Sequence, residues 1–206
     1  MVDCTRVVYD SEDPAVIVSD PGQEEKSVIL TFDDGPGKFL PEILDVLSEE
    51  KVPAMFFWQT RLLYPARPWQ RVLAEGHVIG THTVKHPNLV RLSEEQQLHE
   101  LRSSIEQLEA VTGIRPRYFR PPFGQYDQAT LRTAETLELT PVMWRIASLD
   151  WELRDDPAAI VTNVVENLED GAVVLLHELP QTVSVLQKLI QAIKEKGYTF
   201  KLLSMS

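Results

Sequence analysis

Apolar residues recur along this chain in two alternating rhythms. Short unbroken runs at 27–32, 54–58 and 172–176 are apolar at nearly every position, the pattern of strands buried on both faces. Between them lie stretches with apolar residues three and four apart, the spacing of an amphipathic helix. Leu40, Ile43, Leu44 and Leu47 predict a helix over 40–50, and a second helix over 68–75 stops at Gly76. Ser93-Glu94-Glu95-Gln96 forms a capping box that opens a long helix with Leu98, Leu101, Ile105, Leu108 and Val111 on one stripe, closed by Gly113. Asp127 caps a helix carrying Leu131, Ala134 and Leu137. Asp156-Pro157 starts another, with Ile160, Val161, Val164 and Leu168 facing inward. The last helix carries Val183, Leu186, Leu189, Ile190 and Ile193 and stops at Gly197. Further strands are predicted at 78–83, 117–120, 141–144 and 198–203. Val7-Val8-Tyr9 and Val16-Ile17-Val18 read as short edge strands or a lid.

Strand and helix thus alternate about seven times, which implies a parallel sheet covered by helices. The domain is expected over 27–206, with residues 1–26 as an extension packing on or beside it. The polar interruptions, Asp33-Asp34, His82 and His86, Arg120, Asp150 and His177, all fall at strand ends. Both (β/α) barrels and doubly wound sheets place their sites there, so position alone leaves the two folds open.

Composition narrows the function classes. The 206 residues suit one domain, and 43% hydrophobic residues mark an ordinary globular chain. A net charge of −11 argues against nucleic acid and anionic lipid as partners. No apolar run reaches the roughly 20 residues that span a bilayer. One cysteine, Cys4, excludes an internal disulfide and a cysteine-based zinc site. The first residues show no basic stretch followed by an apolar one, so the chain is expected to be cytoplasmic as written, or extracellular or in the cell wall if a leader has been removed. Nothing calls for a second copy, and a monomer is expected.

His82 and His86, four apart, can reach one metal ion from a single turn, although an isolated pair is weak evidence. A carboxylate from another strand end would complete a set of three, leaving open positions for catalysis. Zinc suits such a set best, and iron(II), cobalt or manganese also use it. Asp33-Asp34-Gly35-Pro36 alone reads better as a simple turn. Taken singly, Asp150-Trp151 reads as a capped turn with a packed tryptophan, and Arg120 as a salt-bridge residue.

Five segments in order change the weighing: Thr31-Phe32-Asp33-Asp34-Gly35-Pro36, His82-Thr83 with His86, Arg120-Pro121-Pro122-Phe123-Gly124, Asp150-Trp151, and Leu175-Leu176-His177. Together they resemble the polysaccharide deacetylase family, the NodB-homology domain of carbohydrate esterase family 4, over about residues 27–203. The resemblance implies a distorted (β/α) barrel of about seven parallel strands. It also implies a metal-dependent hydrolase that removes acetyl groups from sugars. Carried over residue by residue, Asp34, His82 and His86 are the metal ligands, Asp33 the base and His177 the acid. Arg120 holds the base and Asp150 tunes the acid. Trp151 and Leu175 wall the acetyl-methyl pocket, and the Phe123 N–H, beside rigid Pro122, faces the oxyanion.

The chain departs from the family pattern at three places. Phe123 stands where many relatives have Tyr, Ala147 where many have a further Asp, and the loop Gly37-Lys38-Phe39 is short. The expected substrate is an N-acetylglucosamine glycan, such as peptidoglycan or chitin oligomers. An O-acetyl esterase acting on acetylated xylan shares every site residue. A non-catalytic glycan-binding protein would be expected to lack the base or a ligand, and all are present. An iron oxygenase would leave Asp33 and His177 unexplained. Trp58, Trp69 and Tyr64 are open to two readings, as sugar-stacking platforms or as core.

Overall fold

Strands and helices alternate through residues 6–21 and 25–204, which the computed structural model describes; Cys4 lies outside them. The order runs β1 (Ser27–Gly35), α1 (Leu40–Glu50), β2 (Ala54–Trp58), α2 (Trp69–Ala74), β3 (Val78–Thr81), α3 (Glu94–Thr112) and β4 (Tyr118–Phe119). It continues with α4 (Gln128–Thr136), β5 (Thr140–Pro141), β6 (Ile146–Ala147), α5 (Pro157–Val165), β7 (Ala172–His177), α6 (Pro180–Glu195) and β8 (Thr199–Phe200).

Elements with strong local signals sit where the sequence puts them. Helix α1 and strand β2 have the expected bounds. The Ser93 capping box forms in both directions, and Gly113 ends α3 in a left-handed conformation, φ 73°. Asp127 likewise caps α4 through the Thr130 N–H. Asp156 precedes Pro157 as expected but makes no side-chain cap bond.

The fifth strand is the main correction. Residues 141–144 were expected to pair continuously. Instead β5 ends at Pro141, and β6 is a separate strand that pairs with β7. The carbonyls of Val142 and Met143 point to the Arg120 guanidinium, at 3.0 and 2.7 Å, and are withdrawn from the ladder.

Every strand pairing is parallel, in the order β5-β4-β3-β2-β1-β7-β6, with β8 beside the start of β1. The sheet curls into a distorted (β/α) barrel, and the N-terminal segment lies along its seam. Ile17 N–H donates to Pro141 O and Ile17 O accepts from Met143 N–H on one side, while Val18 O accepts from Val173 N–H on the other.

Successive strand residues face opposite sides of a sheet, and that alternation builds two cores. Leu30 and Phe32 of β1, with Phe56, Trp58, Val174 and Leu176, pack outward against Ile43, Leu44, Leu47, Leu186 and Ile190 of the helices. Ile29, Met55, Phe57, Val173 and Leu175 pack inside the barrel with Trp144. Asp33 and His177 share the inward parity and lie opposite one another in the β1–β7 register. Trp58 is fully buried and so belongs to the core.

Candidate active site

Two adjacent strand residues cannot normally face the same way. Asp34 escapes that rule because its backbone is left-handed, φ 66°, at the point where the β1–β2 register slips. His86 and Phe123 share this conformation, at φ 60° and 61°. Non-glycine residues seldom adopt it, and such strain concentrates at functional sites. Gly35 leaves room for a different reason: a Cβ there would overlap the Glu178 carboxylate and crowd Trp58 Nε1, so any larger residue would displace both.

The buried Arg120 anchors the site from beneath. Its Nη1 donates to Asp33 Oδ1 at 2.7 Å and to Thr31 Oγ1 at 2.8 Å. Its guanidinium also lies 4.3 Å from the centre of the Phe57 ring. The second carboxylate oxygen, Asp33 Oδ2, lies 3.7 Å from His82 Nε2.

Asp34 Oδ1 sits 3.8 Å from His82 Nε2 and 3.7 Å from His86 Nε2. Ligand atoms of these three residues all lie within 4.8 Å of one another, a spacing able to hold a metal ion. The donor chemistry fits. His82 Nδ1 is 2.7 Å from the Arg120 carbonyl, which makes Nδ1 the protonated nitrogen and leaves Nε2 free to ligate. Burial, reinforced by neighbouring His82, pushes His86 down to about 4, so it is neutral near pH 7. Burial works against ionising Asp34, but the three imidazoles and the Gln59 amide outweigh it and lower its pKa.

On the other side, His177 Nδ1 donates to Asp150 Oδ1 at 2.7 Å. Asp150 Oδ2 accepts from the His177 backbone N–H and from Thr182 Oγ1. Burial opposes the imidazolium, yet Asp150, helped by Asp33 and Asp34, pushes His177 up to about 9. A histidine raised from 6.5 to about 9 holds more protons folded than unfolded between those values. That stabilisation, roughly 3 kcal/mol, is complete below pH 6.5 and is lost as pH rises through 9. His86 titrates below this window, while Glu178, which burial raises to about 7, adds to the fall only at its lower end. Thermal stability of the metal-free protein is therefore expected to fall from pH 7 to 9.5, and Asp150→Asn to flatten the slope. An unchanged slope in the variant would detach His177 from Asp150.

A cavity of about 400 Å³ joins these groups. Asp33, Asp34, His82, His86 and His177 all line it, and so do Phe123, Trp151 and Leu175. Trp151 meets the His177 ring edge-on at 5.2 Å, and Phe123 meets His86 at 4.5 Å. Pro122 is buried, and the cavity wall at that point is Pro121. Arg120 and Asp150 stand behind the residues they hold. Trp58, Trp69 and Tyr64 do not line the cavity.

Two buried residues have no counterpart in the sequence reading. Gln59 donates from Nε2 to Asp34 Oδ1 at 2.6 Å. Glu178 accepts from Gly37 N–H at 2.6 Å and from Trp58 Nε1 at 3.0 Å, tying the exits of β1, β2 and β7 together. Glu178 directly follows His177, a position that could have drawn attention. Gln59 carries no sequence signal.

The sequence profile of the polysaccharide deacetylase family matches residues 20–142. The peptidoglycan-N-acetylglucosamine deacetylase of Bacillus cereus is 35% identical over 84% of this chain, which spans 65% of that protein's length. A chitooligosaccharide deacetylase from a Bradyrhizobium species is also 35% identical, with 84% of this chain and 87% of the relative covered. Among solved structures, a carbohydrate esterase family 4 pseudoenzyme from Bacillus anthracis superposes with a TM-score of 0.82. It is 29% identical, with 91% of this chain and 66% of that one covered.

Proposed function

The chain belongs to the polysaccharide deacetylase family, and from that premise we propose that it is a metal-dependent N-deacetylase of N-acetylglucosamine glycans, peptidoglycan or chitin oligomers. The observation that carries this reading is one cavity lined by three possible metal ligands, a carboxylate held by a buried arginine, and a histidine held by a buried aspartate. Peptidoglycan and chitooligosaccharide deacetylases among the relatives support the substrate class.

Asp34, His82 and His86 would hold a divalent cation, zinc or cobalt by preference. Such an ion makes a water a stronger acid and polarises the acetyl carbonyl. Asp33 Oδ2, on the cavity side, takes the proton from the attacking water, while Arg120 keeps Oδ1 in place. The oxygen of that water bonds to the acetyl carbon. The Phe123 N–H is assigned to the oxyanion, and being a backbone group it does not need the tyrosine hydroxyl of many relatives. His177 then gives its proton to the sugar nitrogen as the C–N bond breaks, releasing acetate and a free amine. Trp151 and Leu175 wall the space for the acetyl methyl group.

The test is acetate release by metal-stripped protein, with and without added zinc or cobalt. The substrates are N-acetylglucosamine oligomers, peptidoglycan and acetylated xylan. Release from the oligomers or peptidoglycan that returns with metal supports the reading. Release from xylan alone would make the protein an O-acetyl esterase. Likeness to a pseudoenzyme gives a third outcome its weight: metal uptake with no release from any substrate would point to glycan binding alone.

A further inference from the structure

The residues just beyond β2 connect the two loops that carry all three candidate metal ligands. Gln59 N–H donates to Gly35 O at 2.9 Å, next to Asp34. Thr60 N–H donates to Thr83 O at 3.0 Å and Arg61 N–H to Val84 O at 3.2 Å, both between His82 and His86. His82 N–H returns a bond to Trp58 O at 2.8 Å. Four residues of chain thus fix the spacing between the carboxylate and the imidazoles.

Side chains continue the same link. Gln59 is buried, 6% exposed, and its amide sits between opposite charges. Arg61 Nε donates to Gln59 Oε1 at 3.0 Å, and Gln59 Nε2 donates to Asp34 Oδ1 at 2.6 Å. A guanidinium only donates, so it bonds the carbonyl end of the amide and turns the NH₂ toward Asp34. The oxygen that receives this bond is the one nearest both imidazoles. One acceptor direction of Oδ1 is thereby taken, and the other is left for an ion. The left-handed backbone of Asp34, a conformation aspartate adopts more readily than most side-chain-bearing residues, aims the carboxylate at the imidazoles, and the Gln59 amide then holds its Oδ1 there.

We propose that Gln59, oriented by Arg61, is a positioning residue that sets the metal affinity of the site by fixing Asp34 Oδ1 as its carboxylate ligand. The inference rests on the metal-site reading above. It concerns residues outside the ligand set, and groups that orient ligands in this way typically change affinity 10–100-fold when removed.

Zn²⁺ affinity, measured by competition with a chromogenic chelator, tests it on metal-free wild type, Gln59→Leu and Arg61→Met. Gln59→Leu is expected to bind Zn²⁺ about 10–100-fold more weakly, with its circular dichroism unchanged. Arg61→Met frees the amide to turn over and is expected to weaken binding by a smaller factor. Arg61 is solvent-exposed, so that variant keeps the test usable if Gln59→Leu does not fold. The visible spectrum of the Co²⁺-loaded protein is expected to change in both, which a purely structural loss would not produce. Wild-type affinity in both variants would overturn the proposal and leave the metal-site reading standing. No Zn²⁺ uptake by the wild type would overturn both.

Discussion

Asp33→Asn is expected to lower the rate of acetate release by roughly 10²–10⁴-fold, the usual contribution of a positioned base. The substitution changes one atom, and the amide oxygen can still accept from Arg120 Nη1, now 2.7 Å from Oδ1. Asp34, His82 and His86 are untouched, so zinc content should stay near that of the wild type. The combination distinguishes a base from a ligand: loss of rate with metal retained fits proton transfer, and loss of both would mean that Asp33 also binds the ion. A variant retaining more than about a tenth of wild-type rate would remove Asp33 from the base role.

Arg120→Met is expected to bring the protein close to unfolding. The guanidinium is completely buried, and it donates to Asp33, Thr31, Val142 O and Met143 O. Methionine fills part of the volume and supplies no donor. Breaking a buried ion pair from one side costs about 3–5 kcal/mol, because the other charge is left without its partner. Each carbonyl left unsatisfied adds about 1–3 kcal/mol. Against a total stability of about 5–15 kcal/mol, that loss is severe. Lysine should rescue little, since one ammonium cannot reproduce the fork that serves four acceptors. Urea unfolding of both variants is the measurement. Adding Asp33→Leu to Arg120→Met should recover part of the stability by removing the orphaned carboxylate. A loss below about 1 kcal/mol in the single variant would show that Arg120 is not the anchor the geometry describes.

What could be read from the sequence depended on how far apart the interacting residues lie. The bounds of α1 and β2 and the capping boxes at Ser93 and Asp127 follow from signals within a few residues. The motif residues were legible for another reason. Strand ends carry an α/β site, and each motif lies at or just beyond the end of a strand predicted from the sequence. The split between β5 and β6 was not legible. It arises because the Val142 and Met143 carbonyls bond a side chain from β4's exit, more than 20 residues away.

The sequence by itself therefore determined the alternation of strands and helices, the placing of Asp33 and His177 at strand ends, and the residue types of the site. These follow from periodicity and local propensity, which do not depend on the rest of the fold. Only the tertiary structure decided that Asp34 turns to the same side as Asp33, because a left-handed backbone at a non-glycine residue leaves no mark in sequence. It alone brought Gln59 to Asp34, 25 residues away, and Glu178 to Trp58, 120 residues away. Such polar contacts are set by where parallel strands end next to one another. That arrangement exists only once the barrel has closed its non-local pairings, and no short stretch of chain encodes it.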